Sequence, residues 1–180
     1  YSKGLIALSG CLNGDIPEAI LSGNDEKVQE LLERFQSTFG KNNFFLELQD
    51  HSTIPNQKIV NDALITLSKK HNIPLVATVD SHYVNPEDNV AQDIMICIQS
   101  GKNLNDTNRL SMMDADYSMR SPQELYEAFK DTPEALQNTL KIAERCHVEF
   151  DFEKSHIPSF PVPHKKDPVH YLRELCYAGL

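Results

Sequence analysis

Apolar positions change their period along the chain, and the changes predict alternating strands and helices. The run GLIALS, Gly4 to Ser9, is strand-like and is closed by the glycine-containing turn GCLNGD. Val28, Leu31, Leu32 and Phe35 then recur at helical spacing behind Asn24 as N-cap, with Asp25 and Glu26 in the first turn and Gly40 at the end. FFLELQD, residues 44 to 50, predicts a second strand with Leu46 and Leu48 on one face. Phe45, Glu47, Gln49 and then His51 take the other. A helix from about Asn56 to His71 follows, striped by Val60, Ala63, Leu64 and Leu67. IPLVATV is a third strand, apolar on both faces as parallel strands are when covered on both sides. A third helix, roughly Asp88 to Gln99, is expected to bury Ala91, Ile94 and Ile98.

This order, β-α-β-α-β-α with short connections, predicts an α/β fold with parallel strands joined by right-handed crossovers. From Gly101 to Met119 the pattern dissolves into a polar connection. Ser121, Pro122 and Glu124 then form a capping box, and Thr132-Pro133 starts a further helix with Leu136, Leu140 and Ala143 on one face. IPSFPVPHKKDP reads as an extended linker, and VHYLRELCYAGL opens one more helix. A first domain over residues 1–150 and a linker with the start of another over 151–180 are therefore expected.

Composition narrows the function classes. Hydrophobic content of 40% and charged content of 24% over 180 residues are those of a soluble globular domain. The amino end lacks the order of a signal peptide and begins without Met, which suggests a piece of a longer protein. A net charge of −9 argues against a principal nucleic-acid surface, because the basic clusters Lys69-Lys70 and Lys165-Lys166 are only pairs. The four cysteines are widely spaced and do not suggest disulfides. Cys97 and Cys146 fall in helical patterns and are expected as small core residues. No dinucleotide fingerprint, Walker-type phosphate loop or internal repeat is found.

The candidate chemistry lies at the strand ends, where parallel α/β architectures gather it. The first strand ends in Ser9-Gly10-Cys11, the second in Asp50-His51 and the third in Asp80-Ser81-His82. Asp80 and His82, spaced i and i+2, would stand side by side on a strand and could share a metal ion; a hydrogen-bonded turn is the other reading. Cys11 is either a buried small residue or a thiolate ligand. Glu47 and His51 read as rim residues bonding loop backbone, and Tyr83 as packing beneath the rim. Asp15, Asp88 and Asp93 read as turn caps or solvent-facing groups. His71, His147, His156, His164 and His170 read as incidental. Histidine and aspartate suit zinc, manganese or iron, with a thiolate favouring zinc. Such an ion lowers the pKa of bound water for hydrolysis of a phosphate ester.

The stretches GLIALSGCLNGDIP, FFLELQDH, IPLVATVDSHYVNPED, DIMICIQSGK and DTPEALQNTLKIAERCHVEF, continued by PSFPVP and YLRELCYAGL, resemble the alpha subunits of bacterial replicative DNA polymerase III, and do so over essentially the whole chain. The resemblance implies the carboxyl-terminal part of a polymerase and histidinol phosphatase (PHP) domain, a distorted β/α barrel, followed by the entry to the polymerase palm. It also implies metal ligation by Cys11, Asp80 and His82, with zinc or manganese as the ion and 3′–5′ exonuclease or phosphoesterase chemistry as the activity. The earlier ligands of the family and the magnesium-binding carboxylates of its palm fall outside this sequence, so neither a complete metal cluster nor DNA synthesis is expected from these residues alone. The implied partners, through the parent protein, are DNA, deoxynucleotides, the sliding clamp, the clamp loader and a proofreading exonuclease in the cytoplasm, with no membrane. Two alternatives stand beside this reading: an inert scaffold that braces the palm and docks replisome partners, and a stand-alone metal phosphatase.

Overall fold

The computed structural model describes residues 2–153, 155, 158 and 160–179. Of the expected proline-rich linker, Ile157 and Ser159 lie outside these residues, as does His156 just before it. The chain divides into two compact units, Tyr1–Cys146 and His147–Leu180.

In the first unit, strands β1 (Ala7–Leu8), β2 (Phe44–Gln49) and β3 (Leu75–Thr78) form a parallel sheet in the order β1-β2-β3. The expected α/β class with parallel strands is therefore present, as a three-stranded sheet with helical connections. The register sets Ala7 opposite Phe44, Glu47 opposite Val76 and Gln49 opposite Thr78. The first strand is shorter than GLIALS predicts. Its amides at Ala7 and Ser9 bond the carbonyls of Asn43 and Phe45, while Leu5 remains half-exposed.

All six residues of β2 are buried, so its alternation separates an apolar face from a buried polar one. Phe44, Leu46 and Leu48 join Leu75 and Ala77 in the core, against Ile16, Leu31, Leu32, Val60 and Leu64 from the connecting helices. These helices are α1 (Asp15–Leu21), α2 (Asp25–Phe39) and α3 (Pro55–His71). The hydrophobic effect acts on this face, since burying each such side chain contributes about 1.5–3 kcal/mol. Local chemistry fixes the helix ends as expected. Asn24 Oδ1 accepts from the Lys27 amide, and Gly40 terminates α2 at φ 85°.

Helix α1 was not anticipated by the pattern. It has seven residues, contains Pro17 near its start and is bracketed by Gly14 and Gly23, which read as a turn. Ile16, Pro17 and Ala19 nevertheless bury completely or nearly so.

Helix α4 (Asn89–Ser100) presents a different face from the one expected. Asp93, Ile96 and Cys97 are buried, whereas Ala91, Ile94 and Ile98 are exposed. The helix has a distinct apolar stripe, Val90, Ile94, Met95 and Ile98, and leaves it exposed, so hydrophobicity does not select the buried face. The ion pair of Asp93 with Arg109 selects it instead. Asp93 is thus neither a turn cap nor solvent-facing.

Helices α5 (Pro122–Ala128) and α6 (Pro133–Arg145) follow, and the capping box at Ser121 and Glu124 forms as expected. Helix α6 lies along the open edge of β3. Asn138 Nδ2 donates to Leu75 O at 2.7 Å and Thr139 Oγ1 to Ala77 O at 2.8 Å, which satisfies strand carbonyls that would otherwise be an unpaired edge. Ala135 is buried and Leu136 packs against the core, while Leu140 and Ala143 face outward. Cys146 caps the end of α6 and is exposed, so of the two cysteines expected in the core only Cys97 is there.

The second unit contains α7 (Pro168–Ala178), capped by Asp167, whose carboxylate accepts from the His170 amide. Phe160 stacks on Tyr171 at 6.4 Å between ring centroids. Among the described residues, no helix is long and apolar enough to cross a membrane.

Candidate metal centre at the strand ends

The polar face of the sheet converges on Glu47. Its Oε1 accepts from Thr78 Oγ1 at 2.6 Å and from Gln49 Nε2 at 3.1 Å, and its Oε2 accepts from the Gly10 amide at 3.2 Å. Ser9 Oγ in turn accepts from the Glu47 amide at 2.8 Å. One buried carboxylate therefore ties together the ends of all three strands, in the backbone-bonding role its place on the rim predicts. Its burial is tolerated because both carboxyl oxygens meet donors.

Cys11 follows directly. Gly10 sits at φ 82°, and the Gly14 amide closes a turn onto the Cys11 carbonyl at 2.8 Å. A Cβ at Gly14 would stand 2.6 Å from Ser9 O, so only glycine fits. This turn leaves Cys11 half-buried at the mouth of a cleft of about 430 Å³ shared with Gln49, His51, Asp80, His82 and Tyr117.

Asp80 and His82 do not lie on a strand. β3 stops at Thr78, and Asp80 adopts the left-handed backbone conformation, φ 51°, which aspartate tolerates better than most residues. The turn brings His82 Nδ1 to 2.6 Å from the Asp80 carbonyl oxygen. An Nδ1–H donated to that carbonyl leaves Nε2 with its lone pair, the arrangement of a histidine prepared for metal. Asp80 Oδ1 is 3.9 Å from His82 Nδ1, and Asp80 Oδ2 is 4.0 Å from His51 Nε2. Its carboxylate thus stands between two imidazoles.

His51 lies two residues past the end of β2, in the turn before α3, and lines the same cleft as Gln49. It is 5% exposed, its ring lies 4.7 Å from that of Tyr117, and neither ring nitrogen has a hydrogen-bond partner. It does not bond loop backbone through its side chain, in contrast to the expected rim role. Burial pushes its pKa down, against the opposing pull of Asp80 and Asp50.

The far wall comes from the segment 109–119. Arg109 grips Asp93 through two nitrogens at 2.6 and 2.8 Å, and Ser111 Oγ donates to the same carboxylate at 2.9 Å. Further along, the His82 amide bonds Tyr117 O at 2.8 Å and the Tyr117 amide bonds Tyr83 Oη at 3.0 Å. Tyr83 thus anchors the wall. Desolvation, reinforced by Asp114, pushes the Tyr117 phenol up to about 12, so it stays protonated. Tyr117 and the Asp93–Arg109 pair escaped sequence reasoning because both depend on a loop without periodicity.

The donor set of Cys11, Asp80, His82 and the unpartnered His51 suits a borderline divalent metal. Cys11, Asp80 and His82 line one cleft, but among the described residues no three histidine, cysteine, aspartate or glutamate side chains converge closely enough to hold an ion alone. These residues alone do not complete a metal site.

A parallel sheet with such a rim fits the first comparison with known proteins: residues 1–51 match the PHP domain family. Over its whole length the chain is similar to the DNA polymerase III subunit alpha of Treponema pallidum (38% identical) and of Borreliella burgdorferi (42% identical). The same protein of Pseudomonas aeruginosa is 36% identical over 99% of the chain. The chain belongs to the family of bacterial DNA polymerase III alpha subunits. It spans 15 to 16% of the length of these curated relatives.

Proposed function

We propose that this chain is part of a replicative DNA polymerase, and that its first unit supplies some of the ligands of a PHP-type metal site acting in 3′–5′ exonuclease or phosphoesterase chemistry. The observation that carries this reading is the placement of Cys11, Asp80 and His82 around one cleft at the strand ends. Residues 1–150 would complete a β/α barrel of this type with strands supplied from elsewhere in the protein, and residues 151–180 would lead into the polymerase palm.

Cys11, Asp80 and His82 would hold the ion, zinc or manganese. Bound there, it would supply Lewis-acid activation of water and of a phosphate ester. The chain's own residues do the positioning. The Asp80 carbonyl fixes the His82 ring, and Glu47 locks the strand ends from which Cys11 and Asp80 emerge. Tyr117, protonated and packed against both imidazoles, shields one side from water.

For the whole protein we propose DNA-directed DNA synthesis in the cytoplasm, with magnesium at a palm outside this chain. DNA, deoxynucleotides, the sliding clamp, the clamp loader and a proofreading exonuclease would be its partners. Replacing Asp80 by Asn in the complete protein should abolish metal-dependent hydrolysis of a DNA 3′ end while sparing nucleotide addition. Equal loss of both activities would contradict a separate site.

A second reading, a catalytically inert scaffold bracing the palm, is favoured by one observation: no three donors converge among the described residues. It predicts thermal destabilisation by chelators without any nuclease activity.

A further inference from the structure

We propose that His51 is itself a ligand of this metal centre, binding through Nε2 beside Asp80; the inference rests on the metal-site reading above and extends its donor set. Its Nε2 and Asp80 Oδ2 stand 4.0 Å apart, too far for a hydrogen bond. Two donors that each approach one ion to about 2.0–2.2 Å stand roughly 3–4 Å from each other. The separation therefore matches a shared ion better than a direct contact.

Burial supplies the second argument. A histidine 5% exposed ordinarily satisfies at least one ring nitrogen, because a desolvated polar atom without a partner is costly. His51 satisfies neither. The buried polar side chains of β2 are committed: Glu47 to Gly10, Gln49 and Thr78, and Gln49 to Glu47. They leave His51, just past the end of β2, with both ring nitrogens free to engage the cleft. Its backbone is fixed as well, since its carbonyl accepts from the Ile54 amide at 2.9 Å in the turn that starts α3. Ring packing on Tyr117 restricts the remaining rotation.

The test is cobalt(II) titration of the complete protein, read by visible absorption, comparing wild type with Asp80→Asn, His51→Gln and His51→Ala. The expected result is cobalt affinity reduced about 10- to 100-fold in both His51 variants, with altered band positions because a nitrogen donor is lost. His51→Gln preserves most of the side-chain volume, so circular dichroism separates lost ligation from lost fold. Wild-type affinity and an unchanged spectrum in His51→Gln, beside weakened binding in Asp80→Asn, would overturn the role of His51 alone. Failure of wild type to bind cobalt would overturn the metal reading, and this inference with it.

Discussion

Thr78 donates its hydroxyl to Glu47 Oε1 at 2.6 Å, and the same carboxylate holds the Gly10 amide through its other oxygen. The relationship is structural in origin and functional in consequence. It closes the strand ends into a rim from which Cys11 and Asp80 project. Removing it should loosen the site before it unfolds the domain. In Glu47→Ala the buried Gln49 amide and the half-buried donors of Gly10 and Thr78 lose their acceptor, at about 1–3 kcal/mol for a buried donor left unsatisfied and less for the half-buried ones. Amide hydrogen exchange at Gly10 should then accelerate about tenfold or more, while exchange in α2 changes little. Uniform acceleration in both places would mean that Glu47 stabilises the fold globally and not the rim.

Gly14 tests the Cys11 turn. In Gly14→Ala the new Cβ meets Ser9 O at 2.6 Å, a backbone atom that cannot move aside without displacing the strand end. We expect a stability loss of about 1–3 kcal/mol from the forced shift. Cys11 should also react more quickly with a thiol reagent. Gly23→Ala is the control, because nothing lies near its Cβ and its one penalty is its left-handed backbone, φ 68°, which Gly14 at φ −74° does not share. It should cost less and leave Cys11 reactivity unchanged.

Acid should release the loop wall. The Arg109 guanidinium beside Asp93 holds its carboxyl below the usual carboxylate range, helped by the Ser111 hydroxyl. The folded pKa lies below the unfolded one, so the unfolded chain takes up the proton first as pH falls. The stabilisation is therefore complete above the ordinary carboxylate pKa and is lost as pH drops through the depressed value. Limited proteolysis within residues 101–119 should increase as pH falls through that window in wild type. In Asp93→Asn it should already be high at neutral pH and nearly independent of pH. A wild-type profile in the variant would show that the pair does not hold the loop.

Much of this architecture is legible in the sequence. The three strands announce themselves as short apolar runs between glycine- and proline-bearing turns, and Asn24, Gly40 and the Ser121 capping box mark their helices. Helix α1 is hidden because seven residues with an early proline carry too little periodicity to separate from a turn. The buried face of α4 runs against its apolar stripe; what decides it is Arg109, sixteen positions beyond Asp93 and across a connection without a pattern. At the site, Cys11, Asp80 and His82 are visible as strand-end residues, yet the reason first offered for the last two is incomplete. They meet through a left-handed turn past the end of β3, not through strand alternation. His51 shows the same. It lies past the end of β2, where alternation no longer fixes a face, and its buried, unpartnered nitrogens distinguish it from a rim residue.

The metal content of the complete protein tests the central claim most directly. Elemental mass spectrometry on wild type and Asp80→Asn, after reconstitution with zinc and manganese, should find transition metal in wild type and clearly less in the variant. Equal metal in the two proteins, or none in either, would contradict a metal centre at the ends of these strands.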